Sequence, residues 1–251
     1  MTDLSDKRVI ITGGSTGIGA ATAKRFLADG ARVCVWCHNE ANARSIRDRL
    51  PDLSDVVLAD VADAEAVDAA FARSLTGLGG LDVMICNAGI SIRRDFVDID
   101  RADFARVLAV NLSGSFFASQ LAARHMLKED GGSILFTAST SAVIGYRHYA
   151  DYNASKGAIL AMMRTMALEL APKVRVNAIN PGYTMTPMQE AEYSPDMLKS
   201  VNDAIPMGRH ARPEDMAGLF AWLASDDAAY ATGAVFTLDG GESVGTLASH
   251  L

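Results

Sequence analysis

The sequence predicts an α/β fold in which one parallel β-sheet carries helices on both faces. Short β-branched segments, apolar at nearly every position, alternate with longer segments of helical periodicity, and such strands are typical of a sheet covered on both sides. The composition agrees, since 49% of the 251 residues are hydrophobic and 21% are charged, as in globular proteins. The predicted strands are Arg8–Thr12, Arg32–Cys37, Val56–Ala59, Val83–Cys86, Ser133–Thr137, Arg175–Ile179 and Val235–Leu238. The predicted helices are Ile18–Asp29, Glu40–Leu50, Ala64–Leu75, Arg101–Lys128, Tyr152–Leu170 and Pro213–Ala224.

The alternation of strands and helices continues along the chain without a linker, which indicates a single domain over residues 1–251. Residues 183–212 depart from it, because they combine three prolines with scattered polar groups after the sixth strand. Ligands bind at the carboxyl edge of a parallel sheet, where such a segment lies. Residues 183–212 are therefore predicted to form a substrate lid.

Charge and cysteine content exclude several classes of function. A formal net charge of −7 argues against nucleic acids and anionic membranes as partners. The N-terminus does not resemble a signal peptide, and no apolar run reaches the ~18 residues of a membrane span. Cys34 and Cys37 lie three apart on a predicted strand and so point to opposite faces, which favours buried thiols over a metal or redox pair. We expect a cytoplasmic protein without a metal site.

A glycine-rich loop, Thr12-Gly13-Gly14-Ser15-Thr16-Gly17-Ile18-Gly19, joins the first strand to the first helix. Its glycines permit a tight turn, a close approach of the backbone to a pyrophosphate and close packing of the helix on the strand. The free N–H groups of the following helix would then meet the anion. The loop predicts nucleotide binding, with a plain glycine-rich turn as the alternative.

Tyr152 and Lys156 are four residues apart in a predicted helix and so share one face. A phenol with a pKa of ~10 is a poor base near neutral pH, but an ammonium ~4 Å away would lower that pKa towards neutrality. General acid–base catalysis is efficient in that range. The pair therefore predicts proton transfer, and an exposed helical pair is the alternative.

These motifs together resemble the short-chain dehydrogenase/reductase family over residues 7–245. The segments that carry the resemblance are Thr12–Gly19, Asp60-Val61, Asn87-Ala88-Gly89, Ser139, Tyr152-Asn153-Ala154-Ser155-Lys156 and Pro181-Gly182. The resemblance implies a Rossmann-type, doubly wound parallel sheet of about seven strands. It also implies NAD(P)-dependent hydride transfer between a nicotinamide and a secondary alcohol or ketone. Two features depart from the family pattern: Cys86 replaces an asparagine, and no acidic residue ends the second strand.

The resemblance also implies roles for individual residues. Tyr152 would be the acid/base, Ser139 would orient the substrate oxygen, Lys156 would tune the phenol and bind the nicotinamide ribose, and Asn111 would hold a water of the proton relay. The implied cofactor-binding residues are Gly13, Ser15, Thr16, Gly17, Ile18, Gly19, Cys37, His38, Asp60, Val61, Asn87, Ala88, Gly89, Tyr152, Lys156, Pro181, Gly182, Thr184 and Thr186.

Family members commonly form homotetramers through the two long helices that match Arg101–Lys128 and Tyr152–Leu170, with a segment like Val235–Leu251 at a second interface. The resemblance therefore implies a homotetramer. The cofactor is less determined, because Cys37 and His38 end the second strand where NAD enzymes carry an acid and NADP enzymes often carry a cation. Arg44 lies one helical stretch away and is interpreted as solvated. With no phosphate clamp visible, NAD is favoured over NADP.

Six residues are predicted to face the substrate: Arg93, Arg94, Arg147, His148, Tyr183 and Gln189. Arginine suits anions, and a polar rim suits sugars. We therefore expect a small hydrophilic substrate, such as a sugar, a polyol or an anionic hydroxy compound. Two alternatives remain: a 3-ketoacyl-thioester reductase of the same family, and a nucleotide-binding scaffold protein without catalysis.

Overall fold

The computed structural model describes residues 2–245. They form one seven-stranded sheet, whose strands correspond to the predicted apolar segments. The strands are β1 (Arg8–Thr12), β2 (Arg32–Cys37), β3 (Asp55–Leu58), β4 (Val83–Cys86), β5 (Gly132–Thr137), β6 (Val174–Pro181) and β7 (Val235–Leu238). They pair in the order β3-β2-β1-β4-β5-β6-β7, and every pair is parallel. The predicted fold class is confirmed, and the order reverses direction between β1 and β4, where ligands bind in such sheets.

The α-helices are α1 (Gly17–Ala28), α2 (Glu40–Arg49), α3 (Ala64–Leu78), α4 (Arg101–Leu108), α5 (Gly114–Met126), α6 (Ala150–Leu170), α7 (Pro187–Glu192), α8 (Pro195–Ala204) and α9 (Pro213–Ala224). The helix predicted over Arg101–Lys128 is present from Arg101 to Met126, but it is not a regular α-helix throughout. A π-helical turn, Ala109–Ser113, separates α4 from α5, and Asn111 lies within it. Such turns are frequent at functional sites.

The helices bury two separate apolar cores, one on each face of the sheet. Helices α1, α2 and α9 cover one face, where Phe26, Ile46 and Phe220 are fully buried. Helices α3, α5 and α6 cover the other. Cys34 belongs to this second core and Cys37 to the first, so the two thiols lie on opposite faces of β2, as predicted. Because both faces are covered, a ligand reaches the sheet at its strand ends.

The segment 183–212 contains α7 and α8, each begun by a proline that is favourable in the first helical turn. Its two ends are tied together, since Met185 N–H donates to Ala211 O at 2.8 Å and Ala211 N–H donates to Tyr183 O at 2.9 Å. The segment therefore leaves and rejoins the body of the protein at one place, beyond β6.

Residues 246–251, the end of the segment predicted to join a second interface, lie outside the described residues. Within residues 2–245, no helix is both long enough and apolar enough to cross a membrane.

Candidate active site

A cleft of about 310 Å³ runs along the carboxyl ends of the central strands. Every residue that was predicted to bind the cofactor lines it except Gly19, which lies beneath the loop. Ser139 lines it as well. The structure thus brings together residues that are up to about 170 positions apart in the sequence, because parallel strands place their carboxyl ends at one edge.

The glycine-rich loop is shaped by backbone conformation and by crowding. Gly13 and Gly17 adopt φ values of +62° and +50°, which are unfavourable for residues that carry a Cβ atom. A Cβ on Gly13 would lie 2.8 Å from Ala88 Cα, and one on Gly19 would overlap the carbonyl oxygen of Gly13. Arg49, from the end of α2, donates a hydrogen bond to Ser15 O at 2.8 Å and fixes the loop from outside.

The loop is also connected to the end of β4. Asn87 Nδ2 donates to the carbonyl oxygens of Thr12 and Gly13, at 3.1 and 3.2 Å. Thr12 Oγ1 in turn accepts from the backbone N–H groups of Asn87 and Ala88. Thr16 precedes α1 and makes no side-chain cap hydrogen bond, so the first N–H groups of the helix have no side-chain cap. These residues fit a diphosphate, which approaches bare backbone at a helix N-terminus.

Lys156 and Tyr152 lie side by side on α6 at the middle of the cleft. Lys156 is 3% exposed and donates from Nζ to Thr137 O at 2.8 Å. Its Nζ lies 5.5 Å from the centre of the Tyr152 ring. Ser139 lies just after β5, and its Oγ accepts from Ser141 N–H at 3.1 Å. Hydroxyl, phenol and ammonium therefore converge at one place in the cleft.

The pKa values of this pair differ from the sequence-based expectation. Burial raises the pKa of Tyr152 to about 12; the Ser139 hydroxyl opposes the rise, and the charge of Glu192 adds to it. Burial likewise lowers the pKa of Lys156 to about 8. The Lys156 ammonium lies over the ring and donates to a backbone carbonyl, and burial sets the direction of the Tyr152 pKa. In this state the phenol of Tyr152 is a proton donor, and Lys156 binds its proton less tightly than an ordinary lysine does.

Asn111 is fully buried behind the cleft and is not part of its lining. Its Oδ1 accepts from Ile90 N–H at 2.8 Å, and its Nδ2 donates to Ile90 O at 2.9 Å and to Ser155 Oγ at 3.0 Å. The π-helical turn thus connects the segment after β4 to α6. The structure thus shows Asn111 bound to Ile90 on one side and to Ser155 on the other.

The far end of the cleft, near the end of β2, carries the groups that would face an adenosine ribose. Cys37 is buried there, and His38 is exposed beside it. Asp60 forms an ion pair with Arg106 at 2.9 Å. Burial alone would raise the pKa of Asp60. The Ala62 N–H and the Arg106 guanidinium outweigh burial and lower this pKa below its ordinary value. Arg44 pairs with Glu40 on the exposed side of α2 and does not line the cleft.

Of the six residues predicted to face the substrate, Tyr183 and Gln189 line the cleft. Arg93, Arg94, Arg147 and His148 lie outside its lining. Two of these are paired with acids, Arg94 with Asp103 at 3.3 Å and His148 with Asp95 at 2.5 Å. Arg93 is nevertheless near the cleft, since burial raises the pKa of Tyr183 and the charge of Arg93 opposes that rise.

The pairing of tyrosines with carboxylates at the lid side of the cleft was not predicted from the sequence. Glu192, the last residue of α7, accepts from Ser91 Oγ at 2.6 Å and from Tyr149 Oη at 2.7 Å. Tyr146 donates to Glu242. Burial and neighbouring acids raise the pKa of Tyr149 and of Tyr146, so both phenols stay protonated as donors. No sequence motif marks these residues, which come from four separate segments.

Three polar groups in the cleft have no hydrogen-bond partner within the described part of the chain, although each is buried. They are Ser141 Oγ, Asn153 Oδ1 and Gln189 Nε2. Buried polar groups are nearly always paired in a complete site. A hydrophilic ligand that supplies both donors and acceptors would satisfy them.

Comparisons with known proteins agree with this geometry. The model of a family described as "Enoyl-(Acyl carrier protein) reductase" matches residues 13–243. Glucose 1-dehydrogenase from Gluconobacter oxydans is 37% identical over 94% of this chain and 91% of its own length. 3beta-hydroxysteroid dehydrogenase 1 from Eggerthella lenta is 38% identical over 95% of this chain and 94% of its own.

Solved structures are similar over the same extent. A short-chain type dehydrogenase/reductase from Mycobacterium marinum superposes with a TM-score of 0.92 at 35% identity, covering 97% of this chain and 98% of that one. A 3-ketoacyl-(acyl-carrier-protein) reductase from Brucella melitensis, solved with NADH, gives a TM-score of 0.90 at 33% identity, covering 96% of this chain and 100% of that one.

Proposed function

Since this chain belongs to the short-chain dehydrogenase/reductase family, we propose that it interconverts a secondary alcohol and its ketone with a nicotinamide dinucleotide. The observation that carries the proposal is the convergence of Ser139, Tyr152 and Lys156 beside the glycine-rich loop. The dinucleotide, when bound, supplies the group that exchanges hydride with the substrate carbon. The protein positions the substrate beside the dinucleotide, supplies the charged and hydrogen-bonding groups of the site, and transfers the proton.

We assign the proton at the substrate oxygen to Tyr152. Its hydroxyl donates that proton to the forming alkoxide in the direction of ketone reduction and accepts it in the reverse direction. Ser139 holds the same oxygen by a second hydrogen bond. Lys156, as an ammonium, stabilises the phenolate that remains, and Asn111 keeps α6 and the segment after β4 in register.

NAD is the proposed cofactor in preference to NADP. The proposal is supported by the environment of the cleft beyond β2, where Arg106 is already paired with Asp60 and Arg44 with Glu40. A 2′-phosphate there would meet only His38 as an unpaired basic side chain of the cleft lining within residues 2–245. An imidazole lacks the permanent charge and the fork of donors of a guanidinium, so it is a weaker partner for a phosphate.

The proposed substrate is small and hydrophilic, of the sugar or polyol type. Support comes from the unpaired polar atoms of Ser141, Asn153 and Gln189 and from the tyrosine hydroxyls around them. The segment 183–212 is the proposed lid, because α7 places Gln189 and Glu192 against the cleft. The chain would act as a single domain.

The proposal is tested by measuring reduction of NAD⁺ and NADP⁺ by the purified protein with a panel of sugars, polyols, hydroxy acids, steroids and 3-hydroxyacyl thioesters. We expect turnover with sugars or polyols, and higher rates with NAD⁺ than with NADP⁺ at equal concentration. Turnover confined to steroids or acyl thioesters would overturn the substrate assignment. Cofactor binding without turnover of any alcohol would favour the scaffold alternative.

A homotetramer is the proposed assembly. Phe104 on α4 and Phe116 on α5 are each 43% exposed, and Leu168 on α6 is 84% exposed, so the outer faces of these helices carry apolar surface. Light scattering after size-exclusion chromatography would give the mass, and four times 26.6 kDa is expected.

We also propose that the protein works in the cytoplasm, because Cys34, Cys37 and Cys86 are all unpaired, buried thiols. Cell fractionation would test this.

A further inference from the structure

Glu192 holds a fixed carboxylate against the substrate end of the cleft. It is the last residue of α7, and its two carboxylate oxygens are each bound by one hydroxyl, Oε1 by Ser91 and Oε2 by Tyr149. One hydroxyl follows β4 and the other comes just before α6, and these two segments are joined by a hydrogen bond from Arg94 N–H to His148 O. The carboxylate is therefore held on two sides and has little freedom to turn away.

Tyr149 connects this carboxylate to the reacting position. The rings of Tyr149 and Tyr152 are in edge contact, with centroids 6.2 Å apart. The negative charge of Glu192 contributes to the raised pKa of Tyr152, after burial. Glu192 therefore lies within electrostatic range of Tyr152, where the substrate oxygen would bind.

Few basic side chains form the wall of the cleft, although Arg93 lies near enough outside it to act on Tyr183, whose pKa burial raises and Arg93 lowers. Within residues 2–245, the basic side chains of the cleft lining are His38, Arg106 and Lys156. His38 lies beyond β2 and Arg106 is paired with Asp60, so both belong to the opposite end. Lys156 binds Thr137 O. Glu192 itself is bound by two hydroxyl groups rather than by a basic side chain, so its carboxylate keeps its charge at this end of the cleft.

Glu192 can still accept hydrogen bonds. A carboxylate oxygen accepts two, and each oxygen of Glu192 accepts one from the protein. Hydroxyl groups of a substrate are suitable donors for the remaining positions, and hydrogen bonds to a charged acceptor are stronger than neutral ones. Gln189 Nε2, on the preceding turn of α7, offers an unpaired donor beside them.

We propose that Glu192 determines specificity: it binds a hydroxyl of a neutral polyhydroxy substrate and rejects substrates that carry a carboxylate or phosphate near the reacting carbon. The inference rests on the proposed function and narrows it, since the sequence alone left anionic hydroxy compounds open. The arginines that suggested an anion, Arg93, Arg94 and Arg147, lie outside the cleft lining.

The test compares the best polyhydroxy substrate of the panel with its analogue in which a terminal CH₂OH is replaced by a carboxylate. For the unchanged enzyme, we expect kcat/KM to be at least roughly tenfold higher for the neutral member. Glu192→Gln removes the charge and keeps the shape, so the ratio should fall about tenfold or more. Glu192→Asp should retain part of the discrimination. Glu190→Gln, on the exposed side of the same helix, is the matched control and should leave the ratio unchanged.

The ratio separates a charge effect from damage to the lid, because a disturbed lid lowers kcat/KM for both members together. An unchanged ratio in Glu192→Gln would overturn the inference while leaving the enzyme assignment intact. So would an anionic best substrate, or a best substrate with a single hydroxyl. Absence of turnover with every alcohol of the panel would overturn the proposed function instead, and this inference with it.

Discussion

Asn111 and Ile90 form a closed pair of hydrogen bonds: the amide side chain accepts from Ile90 N–H at 2.8 Å and donates to Ile90 O at 2.9 Å. The pair joins a π-helical turn to the segment that continues from Asn87-Ala88-Gly89. It therefore fixes one wall of the cleft through backbone atoms. The same amide reaches Ser155 on α6, so the helix that carries Tyr152 and Lys156 is held by the same residue.

Replacing Asn111 by leucine should destabilise the protein and loosen this wall. Both backbone groups of Ile90 would lose their partner at a part-buried position, and an unpaired group that is fully buried costs about 1–3 kcal/mol. We expect the free energy of unfolding in urea to fall by roughly 2–4 kcal/mol. An unfolding free energy equal to that of the unchanged protein would show that the pair is not needed for stability.

Gly19→Ala should weaken dinucleotide binding at least roughly tenfold, because the new methyl group would overlap Gly13 O and displace the loop. Gly77→Ala is the matched control. Gly77 lies inside α3 with nothing within 4 Å of a new Cβ, so this substitution should leave binding unchanged and stabilise the helix by up to about 1 kcal/mol. Titration of NADH fluorescence measures both. Equal binding by the two variants would contradict the assignment of the loop.

Stability should depend on pH through Lys156. Its pKa is about 8 in the folded protein, against 10.5 for the ordinary value, so the unfolded chain binds more protons between these pH values. The free energy of unfolding therefore rises with pH across this window, by an amount on the order of 3 kcal/mol from this residue. Above pH 10, Tyr152 acts in the opposite direction, because its pKa of about 12 exceeds its ordinary value of 10.

The measurement is urea unfolding from pH 7 to 10, without added dinucleotide, for the unchanged protein and for Lys156→Met. The methionine variant lacks the titrating group, so the rise that belongs to Lys156 should be missing from its profile. Two parallel profiles would show that Lys156 keeps an ordinary pKa in the folded state.

His38→Arg should shift cofactor preference towards NADP. The side chain lines the cleft beyond β2, and a guanidinium there offers a permanent charge and a fork for a 2′-phosphate. We expect the ratio of kcat/KM for NADP⁺ to that for NAD⁺ to rise about tenfold. Arg44→Ala removes an exposed arginine that is paired with Glu40, and it should leave the ratio unchanged. A ratio unaffected by His38→Arg would mean that the 2′ position of the adenosine ribose does not lie beside residue 38.

The sequence predicts the sheet well because its strands, such as Val83–Cys86, are buried on both faces and so are apolar throughout. It predicts the cleft because the family motifs lie where parallel strands end. It misses the π-helical turn at Asn111, since that turn depends on tertiary hydrogen bonds to Ile90 and Ser155 rather than on local propensity. The helices of the lid are also missed, because α7 has only six residues and α8 ten, which is too short for a clear helical period.

The substrate end of the cleft shows where sequence patterns stop being informative. Glu192, Tyr149 and Ser91 carry no common motif, and only the folded lid brings them into contact. Arg94 belongs to the conspicuous basic pair Arg93-Arg94, yet it pairs with Asp103 outside the cleft lining. The pKa of Tyr152 shows a similar limit, since burial decides its direction and burial is a property of the fold.

The most direct test of the account is the turnover of Tyr152→Phe, measured together with its affinity for NADH. Removing the hydroxyl leaves the ring and its contact with Lys156 in place, so binding should stay within about twofold while kcat falls roughly 10²- to 10⁴-fold. Tyr230→Phe, at a fully exposed tyrosine, is the control and should leave both unchanged. Near-normal kcat in Tyr152→Phe would contradict the assignment of Tyr152 as the proton donor, because the reaction would then proceed without its hydroxyl.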